Sequence, residues 1–336
     1  MSSAYSKEQV ADTYFAQALA PIEKLHGEGQ SGIFPLIEAD EAFAARMMLA
    51  KYAQRSLDVQ YYIWRRDMTG TMLFEALHEA ADRGVRVRLL LDDHNTNGND
   101  PILLGLHSHE NIEVRLFNPF MLRSPRWWGF ITDFSRLNRR MHNKSFIADN
   151  SLSIIGGRNI GDEYFGATDD VLFADLDILS AGAAVRDVSE DFDKYWHSAS
   201  SYPLERVVSK NNAMPLTELR KQATDIRSSE AAQKYVAYLR ESPFITQLEQ
   251  RKIDFEWLKV RMVSDDPRKG LGKAEKEGLL IQQFQDIIGD PTVDVELVSP
   301  YFVPTAAGVE AFAWLVRKGV EVKVLTNSLS ATDVAI

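Results

Sequence analysis

His142, Lys144, Asp149, Gly156, Gly157 and Asn159 all lie in "MHNKSFIADNSLSIIGGRN", residues 141–159. As residue types they suit phosphoryl chemistry. A neutral imidazole can attack phosphorus to give a phosphohistidine, and its protonated form can protonate a leaving alkoxide; a free pKa of about 6.5 serves both roles. A lysine, as a point charge, and an asparagine, as a donor, stabilise the negative charge that gathers on phosphoryl oxygens in the transition state. Asp149 could orient an imidazole or form a turn. Gly156 and Gly157 offer a floor without side chains, where a phosphate could approach the backbone. This chemistry requires neither a metal nor a cofactor.

The spacing implies how the chain brings these groups together. "MHNKSFIAD" has strand character, and residues two apart on a strand share a face, so His142 and Lys144 point the same way. Asp149-Asn150-Ser151 is turn-prone and "LSIIGG" reads as the returning strand of a hairpin. A turn centred near 150 pairs residues whose numbers sum to 300, which sets 144 opposite 156 and 142 opposite 158 and returns Asn159 towards His142. With ordinary residue frequencies, a chance match to the whole pattern is on the order of one in a hundred thousand.

The flanking elements are those of a parallel sheet. "DEAFAARMMLAKYAQR", 40–55, carries Phe43, Met47, Ala50 and Ala53 on one helical stripe, with Asp40 as N-cap. "LDVQYYIW" alternates as a strand, a helix follows near 71–82 and ends at Gly84, and "VRVRLLLDD" supplies the next strand. "NIEVRLFN" repeats the strand pattern, and Val185, Val188, Phe192 and Tyr195 form one face of a later helix. A polar stretch from Ser198 to about Ser229, with Pro203 and Pro215, reads as a connector. Beyond it, 293–327 repeats the pattern of 57–93: strand, helix, Arg/Lys-Gly-Val-x-Val, strand. Aligning Gly84 with Gly319 gives an offset of 319 − 84 = 235, so the duplication is of a domain and not of a short solenoid repeat.

Composition narrows the class. The 336 residues are 45% hydrophobic and 26% charged, the balance of a folded globular chain. A net charge of −10 argues against a surface built wholly for nucleic acid, and no nucleic-acid partner is expected. There is no cysteine, hence no disulfide, thiolate metal site or thiol nucleophile. No run of apolar residues reaches the length of a membrane-spanning helix.

Against the acidic total, "FNPFMLRSPRWWGFITDFSRLNRRM" interleaves arginines with aromatic rings just before the motif. Arg126, Trp127, Trp128, Arg139 and Arg140 would suit contact with substrate or an anionic membrane surface. Stacking on single-stranded nucleic acid would use the same composition. Asp175 and Asp177 alternate on a strand; pairing of one with a basic group near the site, or exposure of both to solvent, is favoured over a metal site. His107-Ser-His109 reads as surface, and "DDPRKGLGKAEKEG" lacks a phosphate-loop signature.

The pattern His-x-Lys-x4-Asp followed by Gly-Gly-x-Asn resembles the phospholipase D superfamily, residue for residue at His142, Lys144, Asp149, Gly156, Gly157 and Asn159. Flanking text such as "SLDVQYYIW", "RGVRVRLLLDD" and "GGRNIGDEYFG" is similar to its bacterial cardiolipin synthase branch, over roughly residues 31–336. The resemblance implies an α/β fold of duplicated domains, each a mixed, mostly parallel sheet flanked by helices. It also implies transfer of a phosphatidyl group between phospholipids at a peripheral, bacterial membrane site, with phospholipids as partners and two motif histidines at one centre. A phosphodiesterase acting on nucleic acid is the alternative within the superfamily. Expected divisions are an extension over 1–35, a first domain over 36–200 with the motif, a connector over 201–255 and a partial second domain over 256–336. The second histidine should lie near 142 + 235 = 377, so the chain is expected to be a truncated form with one motif, inactive by itself or a membrane-binding half.

Overall fold

The computed structural model describes residues 2–123, 137, 139–168, 172–209, 212–250, 252–300, 302, 304 and 306–328. They divide into two compact units, Met1–Glu275 and Lys276–Ile336.

The first unit is built on one sheet. Its strands are β1 (Ser31–Leu36), β2 (Ser56–Ile63), β3 (Arg86–Asn95), β4 (Ile112–Phe117), β5 (Ser145–Ala148), β6 (Leu152–Gly156), β7 (Asp177–Gly182), β8 (Ser201–Pro203) and β9 (Glu256–Leu258). They lie in the order β8-β4-β3-β2-β5-β6-β7-β1-β9. The helices are α1 (Lys7–Val10), α2 (Tyr14–His26), α3 (Ala39–Tyr52), α4 (Met68–Asp82), α5 (Asp100–His107), α6 (Asp162–Phe165), α7 (Ala183–Trp196), α8 (Leu216–Ser228), α9 (Glu230–Glu241) and α10 (Pro243–Glu249). The α/β class and the mixed sheet match the expectation. Parallel pairing joins β2 to β3 and β3 to β4, where helical crossovers connect the strands. The β5–β6 hairpin and β7, β1, β8 and β9 add antiparallel ladders on either side.

Strand alternation divides the core. Leu57, Val59, Tyr61, Leu89 and Leu91 face a large cluster with Phe43 and Leu49 of α3 and Leu73 and Leu77 of α4. Leu90, Phe117 and Ile147 point the other way, against Val185, Val188, Phe192, Tyr195 and Trp196 of α7. The helical face expected for α7 is thus the one it buries. In α3 the cap is Glu38 and not Asp40, and the buried side includes Met48 and Leu49, with the expected Met47 partly buried against the core.

The expected boundaries at 36, 200 and 256 differ from those of the folded unit. Phe15 and Leu19 of α2 enter the core. Leu219 and Ala223 of α8 are buried, and Arg220 of that helix bonds Glu75 of α4 at 3.1 Å. The Tyr235 hydroxyl donates to the Phe165 carbonyl at 2.6 Å, and β9 pairs with β1. The polar composition of 201–255 hid narrow apolar stripes that are sufficient to dock short helices on an existing core.

The second unit contains α11 (Leu280–Ile288) and a parallel β–α–β: β10 (Asp294–Val298), α12 (Ala306–Arg317) and β11 (Glu321–Leu325). Shifting by 235 maps β2, α4 and β3 onto these elements. Gly84 and Gly319 both close the crossover helix in the left-handed region, at φ 90° and 86°.

Candidate active site

The hairpin has the register the sequence implies: Ser145 opposite Ile155, and Ala148 opposite Leu152, each pair summing to 300. The strand itself starts at Ser145, so His142 and Lys144 lie in the segment that leads into it. Their floor comes from the neighbouring strand. Gln60 of β2 pairs with Ser145, which sets Tyr62 opposite position 143, between the two motif residues. The Tyr62 ring accordingly lies 4.7 Å from the His142 ring, centroid to centroid, and 5.8 Å below the Lys144 Nζ. One residue pair back, the Gln60 amide donates to the Met141 sulfur at 2.9 Å.

Lys144 folds back on its partner. Its buried Nζ donates to the His142 carbonyl at 2.7 Å and lies 3.2 Å from His142 Nδ1. Desolvation by the walls around the ring lowers the imidazole pKa to about 4, and the charges of Lys144 and Lys269 act in the same direction. The residue is nonetheless exposed at the surface of the unit, so a substrate can reach the ring and full enclosure is not what shifts it. Burial also lowers the Lys144 ammonium to about 8, opposed by Asp175 and Asp177. At neutral pH the pair is therefore a neutral imidazole beside a cation.

The remaining motif residues are placed differently. Asp149, fully buried, accepts the amides of Gln54, Arg55 and Ser56 at 2.7 to 3.1 Å. It lies seven residues past His142 and, at about 3.3 Å per extended residue, roughly 20 Å along the chain. It is a turn former with φ 50°, and not the group that orients the imidazole. Asn159 Oδ1 accepts the Ile63 amide at 3.0 Å, and its Nδ2 donates to the Tyr164 hydroxyl at 3.1 Å. It therefore fixes the backbone next to Tyr62. Over Gly156 and Gly157 the expected phosphate floor is occupied. A Cβ on Gly157 would collide with the Asp175 carboxylate, and one on Gly156 would come within 2.5 Å of Asp177 Cα and the Leu176 carbonyl. The Gly157 amide already donates to that carbonyl at 3.0 Å. Of the two acids, Asp177 pairs with Arg46 at 2.8 Å, deep in the unit.

Arg126, Trp127 and Trp128 lie outside the described residues. Arg140 is anchored inward, correcting its reading as a surface contact: Nη1 reaches Asp92 at 3.2 Å and the Asn118 carbonyl at 3.0 Å, and the guanidinium covers the Phe120 ring at 5.0 Å. A buried carboxylate at the end of β3 requires a counter-charge, and Arg140 supplies it. The Arg139 guanidinium packs on Gly272. His107 and His109 pair separately, with Glu205 at 2.9 Å and Asp82 at 3.3 Å.

Sequence reasoning missed Tyr62, Asn143 and Asp191. Tyr62 alternates with Tyr61, on the strand face that carries Gln60, and this was the available signal. The Asn143 amide donates to Asp191 of α7 at 3.2 Å, and Asp191 also accepts from Ser264. These contacts hold the residue between His142 and Lys144.

A protein family described as "Cardiolipin synthase, PLD-like domain" matches residues 47–196. Over 321 residues the chain is 50% identical to "Cardiolipin synthase C" of Escherichia coli (strain K12), an alignment that covers 96% of this chain and 67% of that protein. The chain belongs to the phospholipase D-like cardiolipin synthase family. An uncharacterized protein of Helicobacter pylori (strain ATCC 700392 / 26695) is 32% identical over 328 residues, covering 94% of this chain and 64% of that one. The chain thus spans about two thirds of the length of these family relatives. Among solved structures, the phosphatidylserine synthase of Haemophilus influenzae Rd KW20 superposes with a TM-score of 0.58 at 13% identity, covering 94% of this chain and 67% of that one, which supports the family fold.

Proposed function

We propose that this chain carries one motif of a cardiolipin synthase-type phosphatidyltransferase, with His142 as its reactive imidazole. The observation that carries the reading is the neutral His142 ring with the Lys144 ammonium 3.2 Å from Nδ1, in a chain 50% identical to a protein named cardiolipin synthase C. Attack by the imidazole on a phospholipid phosphorus forms a P–N bond and breaks the P–O bond to the leaving alkoxide, which takes its proton from an acid. The hydroxyl of a second phospholipid then attacks phosphorus, loses its proton and releases the imidazole. Lys144 stabilises charge on the non-bridging oxygens in both steps. In the two-motif scheme of the superfamily, a second histidine is the acid.

Phospholipid substrates place the work at a membrane surface. No helix among the described residues is long and apolar enough to cross a membrane, and peripheral attachment fits the family. Lipid extracts from cells that express this chain joined to a second motif, compared with cells that lack it, test the reading: cardiolipin should rise with expression. An unchanged lipid profile, in cells where the folded protein is detected, would oppose it.

A further inference from the structure

Asp92 and Asp93 are adjacent in β3, where its parallel pairing with β4 stops, and are fully buried. Between them they hold both ends of the segment that joins β4 to the motif. On the outgoing side, Asp93 Oδ2 accepts the Phe120 amide at 2.8 Å and pairs with Arg123, which also bonds Asp100. On the returning side, Asp92 Oδ2 accepts the Met141 amide at 2.9 Å, and Oδ1 takes Arg140 at 3.2 Å and the His94 amide at 2.9 Å. The two sides are stitched to each other: Asn118 Nδ2 donates to the Arg139 carbonyl at 2.7 Å, and Arg140 returns a bond to the Asn118 carbonyl. Met141 is the residue before His142, and its side chain is wedged against Gln60.

We propose that Asp92 is a positioning residue, which fixes the approach of His142 to the phosphorus by holding the Met141 amide and Arg140 against the end of β3. The assignment rests on the phosphatidyltransferase reading for its catalytic consequence and on geometry alone for the tether. His142 and Lys144 lie ahead of the β5 ladder, so sheet hydrogen bonds do not fix them. Asp92 supplies a fixed point just before the pair and Asn143–Asp191 a second between its two members. A misplacement of about 1 Å at a reacting group costs on the order of 10²-fold in rate, which sets the scale of the effect.

The tether is also sensitive to pH. Burial raises the Asp92 carboxyl to about 7, and the adjacent Asp93 adds to the rise; Arg140 and the amides of His94 and Met141 oppose it. Among the described residues, the charged and titratable groups around this spot are Arg140 from the returning side, Asp93 and His94 from β3, and Arg123 with its second partner Asp100 from the outgoing side. His142, lowered to about 4, does not change charge in the same range. Ionised Asp92 accepts all three bonds and pairs with Arg140, whereas protonated Asp92 loses the ion pair. The ordering of His142 should strengthen as pH rises through about 7.

The test compares Asp92→Asn with Asp58→Asn, which breaks a buried pair with Arg88 in the body of the sheet. Per folded molecule, Asp92→Asn should lower kcat by about tenfold or more with KM within about twofold, and should abolish an acidic limb near pH 7 in the rate profile. Asp58→Asn should reduce thermal stability and leave both features intact. A kcat for Asp92→Asn equal to that of the control, with the limb retained, would overturn the assignment. A measurement on the parent protein covers the case in which the variant fails to fold: the Met141 amide should be protected from hydrogen exchange at pH 8, and exchange at the rate of an open backbone would refute the tether, while a flat Met141 resonance from pH 6 to 8 would refute its pH dependence. This arm needs no turnover. If the Met141 amide is protected and a form that also carries a second motif transfers no lipid, the functional reading fails and the tether stands.

Discussion

Lys144 Nζ lies 3.2 Å from His142 Nδ1 and donates to the His142 carbonyl. An ammonium has only hydrogens to offer, so Nδ1 must be the acceptor and the ring proton belongs on Nε2. In the resting site, then, the Nδ1 lone pair is engaged by Lys144 and Nε2 carries the hydrogen of a neutral ring. Attack through Nε2 requires the proton to move to Nδ1, which becomes available when a phosphoryl oxygen draws Lys144 away. The same contact opposes protonation of the ring.

Lys144→Met should therefore raise the His142 pKa, because it removes both a nearby positive charge and the donor at Nδ1. Histidine NMR titration checks it. The parent ring should stay neutral down to about pH 5, with the Nε2–H tautomer dominant, and the variant should titrate higher. An unchanged titration would remove Lys144 from the electrostatics of the ring.

Alkaline pH should slow the reaction through the lysine. With its folded pKa lowered to about 8, Lys144 loses its charge as pH rises through that value, and transition-state stabilisation goes with it. The rate of the chemical step should show a falling limb near pH 8 that Lys144→Arg shifts out of range, since guanidinium stays protonated.

Asp149→Ala should behave as a stability mutation. It leaves the buried amides of Gln54, Arg55 and Ser56 without their shared acceptor, at a cost of about 1–3 kcal/mol for each orphaned group that water cannot reach. Chemical denaturation should show a marked loss, while the kcat of the remaining folded protein stays near that of the parent. A selective loss of kcat at unchanged stability would restore the orienting role that the motif first suggested.

The two glycines should differ. Gly157→Ala meets the flexible carboxylate of Asp175, which can swing aside, whereas Gly156→Ala meets backbone at Asp177 Cα and the Leu176 carbonyl. Overpacking against backbone costs about 1–3 kcal/mol or more, so Gly156→Ala should be the less stable of the two by thermal melting. Equal melting temperatures would contradict this packing account.

Local pattern made the β–α–β units, the hairpin register and the apolar face of α7 legible from sequence, because period-two and period-3.6 burial and turn residues are local signals. The pairing of His142 with Lys144 followed from the same logic. The hydrogen-bond partners of Asp149 and Asn159 were not legible, because a motif fixes order along the chain and not the direction of a side chain. Asp149 turns to the start of β2, and Asn159 to Ile63 and Tyr164. Asp92 and Arg140 were missed as a pair because 48 residues separate them, and only the closure of the sheet brings them together. The docking of α8 to α10 depended on stripes too narrow to stand out from their polar flanks.

The central claim is that His142 is the reacting imidazole, and single-turnover phosphatidyl transfer by His142→Ala, shown to be folded, tests it most directly. The account predicts loss of transfer by about 10³-fold or more, because the covalent route is gone and not merely weakened. Transfer at or near the rate of the parent would contradict it.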